Sequence, residues 1–205
     1  MLKLVFAMAL GAAIPAGQAQ EAAVQPSVDS AAERVTLRNL SACLAKSRPR
    51  WARQALAKPY LSPDQESLLR DAMSGGDNCL NGGSKLQVSV RSSGMVSGLA
   101  EHFLTTELDR VGLKRVSAEL VKVTSLNASE DFALCVAARN PKAAQGLAMS
   151  EPGSDAERQS AESLAKGIQP CLNPGETSKI DLQSFRALAA TALYRGLTSA
   201  QGSRG

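Results

Sequence analysis

Four cysteines, a lone histidine next to a glutamate, a serine one helical turn ahead of a lysine, and a run of cations around the sole tryptophan are the parts of this chain that could do chemistry. Ser163-Leu164-Ala165-Lys166 has the S-x-x-K spacing that sets a hydroxyl beside an amine in penicillin-recognising enzymes. The companion S-D-N and K-T-G strings do not occur, and short matches of this kind arise often in helices, so this one is read as helix composition. The sequence also lacks G-x-S-x-G, H-E-x-x-H, the P-loop and the dinucleotide fingerprint. The chain is therefore expected not to be an enzyme and to hold no cofactor.

The cysteines carry the strongest signal. Cys43 and Cys79 are 36 residues apart, as are Cys135 and Cys171, so the pair recurs at an offset of 92. At that offset Cys43-Leu44-Ala45 faces Cys135-Val136-Ala137, Pro49 faces Pro141, and Cys79-Leu80-Asn81-x-Gly83 faces Cys171-Leu172-Asn173-x-Gly175. Val88, Ser92, Val96 and Ala100 likewise face Ile180, Ser184, Leu188 and Ala192. Such self-similarity points to a duplicated unit. Four cysteines allow three pairings, and the repeat permits all of them. A unit that folds alone favours Cys43 with Cys79 and Cys135 with Cys171. A bridge closing a loop of this length stabilises by about 3.8 kcal/mol in the chain-entropy model, enough to matter to a small core. A redox role would need a close pair such as C-x-x-C, which is absent. With the thiols bridged and His102 the only histidine, no metal site is expected. Tyr194 occupies the place of His102 in the second unit, so packing or a hydrogen bond explains that ring better than catalysis with Glu101.

The elements that must hold these residues are read as helices. Leu37, Leu40 and Leu44 share one helical face, with Cys43 beside them, and Pro49 and Pro141 each restart a helix. Ser62-x-x-Gln65 and Ser154-x-x-Glu157 spell capping boxes. They open helices built on Leu68, Leu69, Ala72 and Met73, and on Ala161, Leu164, Ala165 and Ile168. Each unit closes with an amphipathic helix, one through Met95, Val96, Leu99, Ala100, Phe103 and Leu104, the other through Phe185, Leu188, Ala189, Ala192 and Leu193. Alternation at Leu86, Val88 and Val90, and at Ile180 and Leu182, is compatible with a brief strand after the second cysteine of each unit. Apolar residues at 113, 116, 120 and 123 suit one more helix between the units.

The expected fold is mainly all-α: two tandem helical units, each closed by one disulfide. The expected layout is a signal peptide over 1–19, a flexible leader over 20–32, unit 1 over 33–108, a connector over 109–128, unit 2 over 129–196 and a disordered tail over 197–205. The signal peptide rests on Lys3, an eleven-residue apolar stretch from Leu4 to Ile14, and small residues at Gly17 and Ala19. That stretch is too short to span a bilayer as a helix. An even cysteine count then fits a periplasmic or secreted protein.

The string around Cys135, Pro141, Ser154-x-x-Glu157, Cys171-Leu172 and the closing Leu188 to Tyr194-Arg195 resembles a group of small exported helical proteins from alphaproteobacteria. The likeness covers residues 33–196 and implies export and a helical fold. It implies no activity and no catalytic residue.

The net charge of +4 is unevenly placed, with 14 basic against 9 acidic residues over 33–125 and 8 against 8 from 126 onward. Lys46, Arg48, Arg50, Arg53 and Lys58 surround Trp51 with no acid between Arg34 and Pro59. On a helix Trp51, Ala52, Ala55 and Leu56 share one side and Arg50, Arg53, Gln54 and Lys58 the other, making a short basic amphipathic segment. These six residues, the five cations and Trp51, form the candidate interaction surface. Aromatic residues make up only 3% of the chain, too few for a nucleic-acid stacking platform, so no nucleic acid is expected. The leading functional expectation is a non-enzymatic envelope interaction module that binds a protein partner. The alternative is a binder of lipid or another anionic envelope polymer through residues 46–58.

Overall fold

The computed structural model describes residues 31–74, 79, 92–173 and 180–203. Among them are nine α-helices, one short 3-10 turn and no strand. In chain order the helices are α1 (Ala31–Ser47), α2 (Pro49–Ala57), α3 (Pro63–Ser74), α4 (Ser92–Val111), α5 (Leu113–Leu120), α6 (Ala128–Arg139), α7 (Pro141–Met149), α8 (Asp155–Ala165) and α9 (Leu182–Gly202). The 3-10 turn, Gln169–Cys171, carries the last cysteine. No described helix is long and apolar enough to cross a membrane.

Local sequence accounts for the helix starts. Pro49 and Pro141 open α2 and α7, where the missing N–H costs nothing. Asn140 supplies the cap that Arg48 does not, accepting a hydrogen bond from the Ala143 N–H. Both capping boxes form. Ser62 Oγ accepts from the Gln65 N–H and Gln65 Oε1 from the Leu61 N–H, while Ser154 Oγ accepts from the Glu157 N–H and Glu157 Oε2 from the Gly153 N–H. A third box joins Asn127 and Glu130 at the start of α6.

The disulfides are Cys43–Cys79 and Cys135–Cys171, each with its Cα atoms 5.8 Å apart. Bridges of this kind persist in oxidising compartments and are rare in the cytosol.

The core is one continuous cluster. Its axis is the pair α4 and α9, which pack more extensively on each other than any other two described helices. Both are buried around most of their circumference, from Met95 to Leu108 on α4 and from Phe185 to Ala200 on α9, as befits central helices. Around them, α1 lies on α4, and α5, α6 and α7 lie on α9. The α1–α4 contact depends on missing side chains: a Cβ at Gly98 would stand 2.6 Å from Ser41 Cβ and 3.2 Å from the Arg38 backbone. The halves expected to fold separately thus share their interior, because the apolar face of α4 is covered by α9.

Other expectations change as well. Residues 197–202, expected to belong to a disordered tail, are helical. Leu197 and Ala200 continue the apolar face of α9 and are fully buried, and Gly196 lets Val116 and Leu120 of α5 approach. Within the connector, the one further helix expected between the units forms as α5, with Val116 and Leu120 buried. The strand residues Leu86, Val88 and Val90 lie outside the described residues. Ile180 is irregular and Leu182 opens α9, capped by Asp181. Ala165, read as part of the apolar face of α8, is exposed.

Candidate functional site

The structure separates the residues nominated as chemical groups. Ser163 and Lys166 share no hydrogen bond; the Ser163 carbonyl receives Asn140 Nδ2 at 3.4 Å, and Lys166 follows the last turn of α8 in solvent. Glu101 and His102 point apart. Glu101 is 2% exposed inside the core, whereas His102 is half-buried against the edge of Phe103, with ring centroids 5.4 Å apart. Burial lowers the His102 pKa below its usual 6.5; Glu107 opposes that shift, and Lys46 and Arg53 reinforce it. Among the described residues no cluster of His, Cys, Asp and Glu could hold a metal ion.

The basic segment forms α2 and its flanks, and its apolar side is turned inward. Ala52, Ala55 and Leu56 are almost completely buried, and Trp51 packs partly on the core. Arg53 lies over the Phe103 ring, 4.2 Å from its centroid, and pairs with Glu107, which also accepts from Gln201. Burial opposes the Arg53 charge, but the Glu107 carboxylate outweighs it and the pKa is raised. Arg48 lies over Trp51 at 5.4 Å. Lys58 reaches Asp64 at 3.5 Å, while Lys46 and Arg50 stand exposed.

Composition and spacing did not mark two buried ion clusters that join the halves. Arg186, on α9, donates from Nε and Nη2 to the two Glu101 oxygens at 2.7 and 2.9 Å, and from Nη1 to Glu157 at 3.0 Å. Nη2 also reaches the carbonyls of Ser150, at 2.7 Å, and Ala148, at 3.1 Å. Arg34 meets the other Glu157 oxygen at 2.8 Å, and Arg38 meets Glu101 at 3.2 Å. Burial pulls the Arg186 pKa down, and the hydrogen bonds and charges of Glu101 and Glu157 more than reverse it. Donors so fully engaged make this cluster a clamp between helices rather than a reaction centre. The legible signal was Arg186 itself, a cation between the core residues Phe185 and Leu188.

The second cluster builds a cleft. Glu130 accepts from the Tyr60 N–H at 2.8 Å and from Arg195 at 2.9 Å, while Asn127 donates to the Tyr60 carbonyl at 2.8 Å. Arg195 also holds the Lys58 carbonyl at 2.9 Å. The turn between α2 and α3 is thereby fastened to the start of α6 and to α9. Between them opens a cleft of about 540 Å³, floored and walled by Tyr60, Leu61, Phe132, Leu172, Ile180 and Leu188, with polar groups from Ser129, Asp131, Asn173, Asp181 and Ser184. The Cys135–Cys171 bridge borders it through Cys171.

Leu61 is unusual there. It is 38% exposed and adopts φ +53°, a left-handed conformation that costs an L-residue about 1 kcal/mol. Gly153, at the repeat offset, has φ +84° and makes the equivalent N–H contact to its capping-box residue. The first turn thus carries a strained, exposed leucine where the second uses glycine. Beside it, Tyr60 is 6% exposed, and its hydroxyl is buried without a hydrogen bond. Burial raises the Tyr60 pKa, and the Asp181 carboxylate raises it further.

The fold and the site define a class: an all-helical, two-disulfide protein with an open cleft between its halves. Comparison with protein-family models, with curated proteins and with solved structures finds no match in any of the three.

Proposed function

We propose that this protein is an exported, non-enzymatic helical interaction module of the cell envelope that binds a protein partner through the cleft beside Tyr60 and Leu61. The observation that carries the reading is Leu61: a strained apolar side chain left in solvent, on the rim of a cleft with mixed polar and apolar lining, gains its stabilisation from something outside the chain. Leu126, 48% exposed and two residues before the lining Ala128, extends the apolar surface. Export is supported by the N-terminal signal pattern and by two disulfides. Descent from a duplicated two-cysteine unit is supported by helix starts at Pro49 and Pro141, and at Pro63 and Asp155, which recur at the cysteine offset. The cleft belongs to neither copy alone, so binding is a property of the joined halves. The test is a photo-crosslinking side chain placed at Leu61, with the exposed Gln54 as control, in envelope extracts of the native host. Discrete adducts from position 61 and none from 54 are expected; identical patterns from both remove the reading.

A second reading, attachment to an anionic lipid or polymer, is favoured by the exposed Lys46 and Arg50 beside Arg48 and Trp51. With Ala52, Ala55 and Leu56 facing the core, such a surface would meet cations rather than an insertable apolar face. Binding to anionic vesicles would then fall steeply with salt and with Arg50→Glu. Absence of binding at low salt eliminates it.

A further inference from the structure

We infer that the two bridges have different roles: Cys43–Cys79 is open to thiol–disulfide exchange with an external dithiol, whereas Cys135–Cys171 is a fixed structural staple. The inference is independent of the cleft. Equal spacing makes the bridges look alike along the chain, and that wide spacing argues against a disulfide-exchanging catalyst. It does not decide which sulfur an outside thiolate reaches. Burial decides that, and exposed bridges are the labile ones.

Of the four cysteines Cys43 alone is exposed; Cys79, Cys135 and Cys171 are half-buried. The two helices account for the difference. In α6 both neighbours of Cys135, Leu134 and Val136, are buried. In α1 the core-facing set is Arg34, Leu37, Ser41, Leu44 and Ala45, and Cys43 stands off that face.

Exchange at a disulfide is directional. A thiolate of the dithiol attacks Cys43 Sγ, the bond to Cys79 breaks, and its electron pair leaves on Cys79 Sγ as a thiolate. The new S–S bond joins Cys43 to the reductant. The second thiolate of the reductant then displaces Cys43. The dithiol is thereby oxidised to a disulfide, the cystine is reduced to two thiols, and the two protons of the dithiol end on Cys43 and Cys79.

A sulfur leaves faster when its thiolate is stabilised. Ser47, the last residue of α1, holds its Oγ 3.8 Å from Cys79 Sγ. In the closed bridge the single hydroxyl hydrogen goes to the Leu44 carbonyl at 3.3 Å, which also receives the Arg48 N–H at 2.8 Å. The hydroxyl therefore turns to a sulfur that gains charge without stranding that carbonyl. At the other bridge Cys171 Sγ lies 3.7 Å from the Gly167 carbonyl oxygen, an acceptor that disfavours a thiolate.

The experiment treats the folded, oxidised protein with dithiothreitol in native buffer, quenches samples by alkylation and maps them by mass spectrometry. Cys43 and Cys79 should be alkylated on the order of tenfold faster than Cys135 and Cys171, at a rate proportional to the dithiol concentration. In urea below the unfolding transition the first rate should hold steady and the second should rise, because a fixed bridge waits for the fold to open. Ser47→Ala should slow reduction of the first bridge roughly fivefold, the equivalent of one hydrogen bond, and leave the second unchanged. Ser47→Thr, which keeps the hydroxyl, should restore most of the rate.

Equal rates at the two bridges, earlier reduction of Cys135–Cys171, or reduction of Cys43–Cys79 only once urea unfolds the chain would each overturn the inference. If the first bridge stays the faster one and Ser47→Ala leaves its rate unchanged, the role assigned to the hydroxyl is overturned and exposure alone accounts for the selectivity.

Discussion

Replacing Arg186 with methionine tests whether the buried clamp joins the two halves. The guanidinium is 1% exposed and donates to Glu101, to Glu157 and to the carbonyls of Ala148 and Ser150. Methionine fills a similar volume but leaves two carboxylates, 2% and 1% exposed, short of a cation. Arg38 and Arg34 remain beside them at 3.2 and 2.8 Å, so each keeps one partner. Breaking a buried pair by removing one member costs about 3–5 kcal/mol. A domain of this kind has a total of roughly 5–15 kcal/mol. With a urea m-value of about 2 kcal/mol/M, the denaturation midpoint should fall by roughly 1.5–2.5 M. Adding Glu101→Gln should return part of the loss by removing one of the stranded charges. The assay is urea denaturation followed by circular dichroism and by Trp51 fluorescence, which should move together. A loss below about 1 kcal/mol at unchanged m would refute the reasoning, because the carboxylates would then be satisfied without the arginine.

Three further outcomes are expected. Removing the Cys135–Cys171 bridge by Cys135→Ala/Cys171→Ala should cost about 3–4 kcal/mol, as the 36-residue loop implies, and melting curves would check it. His102 has a depressed pKa, so its neutral form is favoured in the fold; its contribution is complete above pH 6.5 and is lost as pH falls towards the folded value. Measured stability between pH 7 and about 5 should therefore decline less in His102→Gln than in the parent. Tyr60 and Tyr194, the only two tyrosines, both have raised pKa values, chiefly through burial. Their contribution to stability is present below pH 10 and falls away above it, so near-ultraviolet titration should show little phenolate until alkali unfolds the protein, and an ordinary phenol titration near pH 10 would contradict the packing.

Much of the local structure was legible in the residues alone. Pro49 and Pro141 restart helices because a proline lacks an N–H that a first turn does not use, and Ser62 and Ser154 cap because a short hydroxyl side chain reaches the amide three residues on. The 36-residue repeat left all three cysteine pairings open, and the one favoured for a unit closing on itself is the one that forms. The apolar faces of the two closing helices were read correctly, and so was the inward-facing side of the basic segment. These are short-range matters, decided by backbone geometry and by periods of a few residues.

Tertiary structure decided where those faces go. A stripe of Met95, Leu99 and Phe103 demands apolar cover, but its pattern does not name the helix that supplies it; α9 does, and two units that looked self-contained became one core. The same docking brings Arg186 to Glu101 across 85 residues and Tyr60 to Glu130 across 70, contacts without a local periodicity. It also extends α9 past residue 197, since Leu197 and Ala200 are held by packing on neighbouring helices rather than by propensity. The cleft arises at that junction. Its carboxylates, phenol and strained leucine come from distant parts of the chain, and only burial of the shared interior sets them side by side.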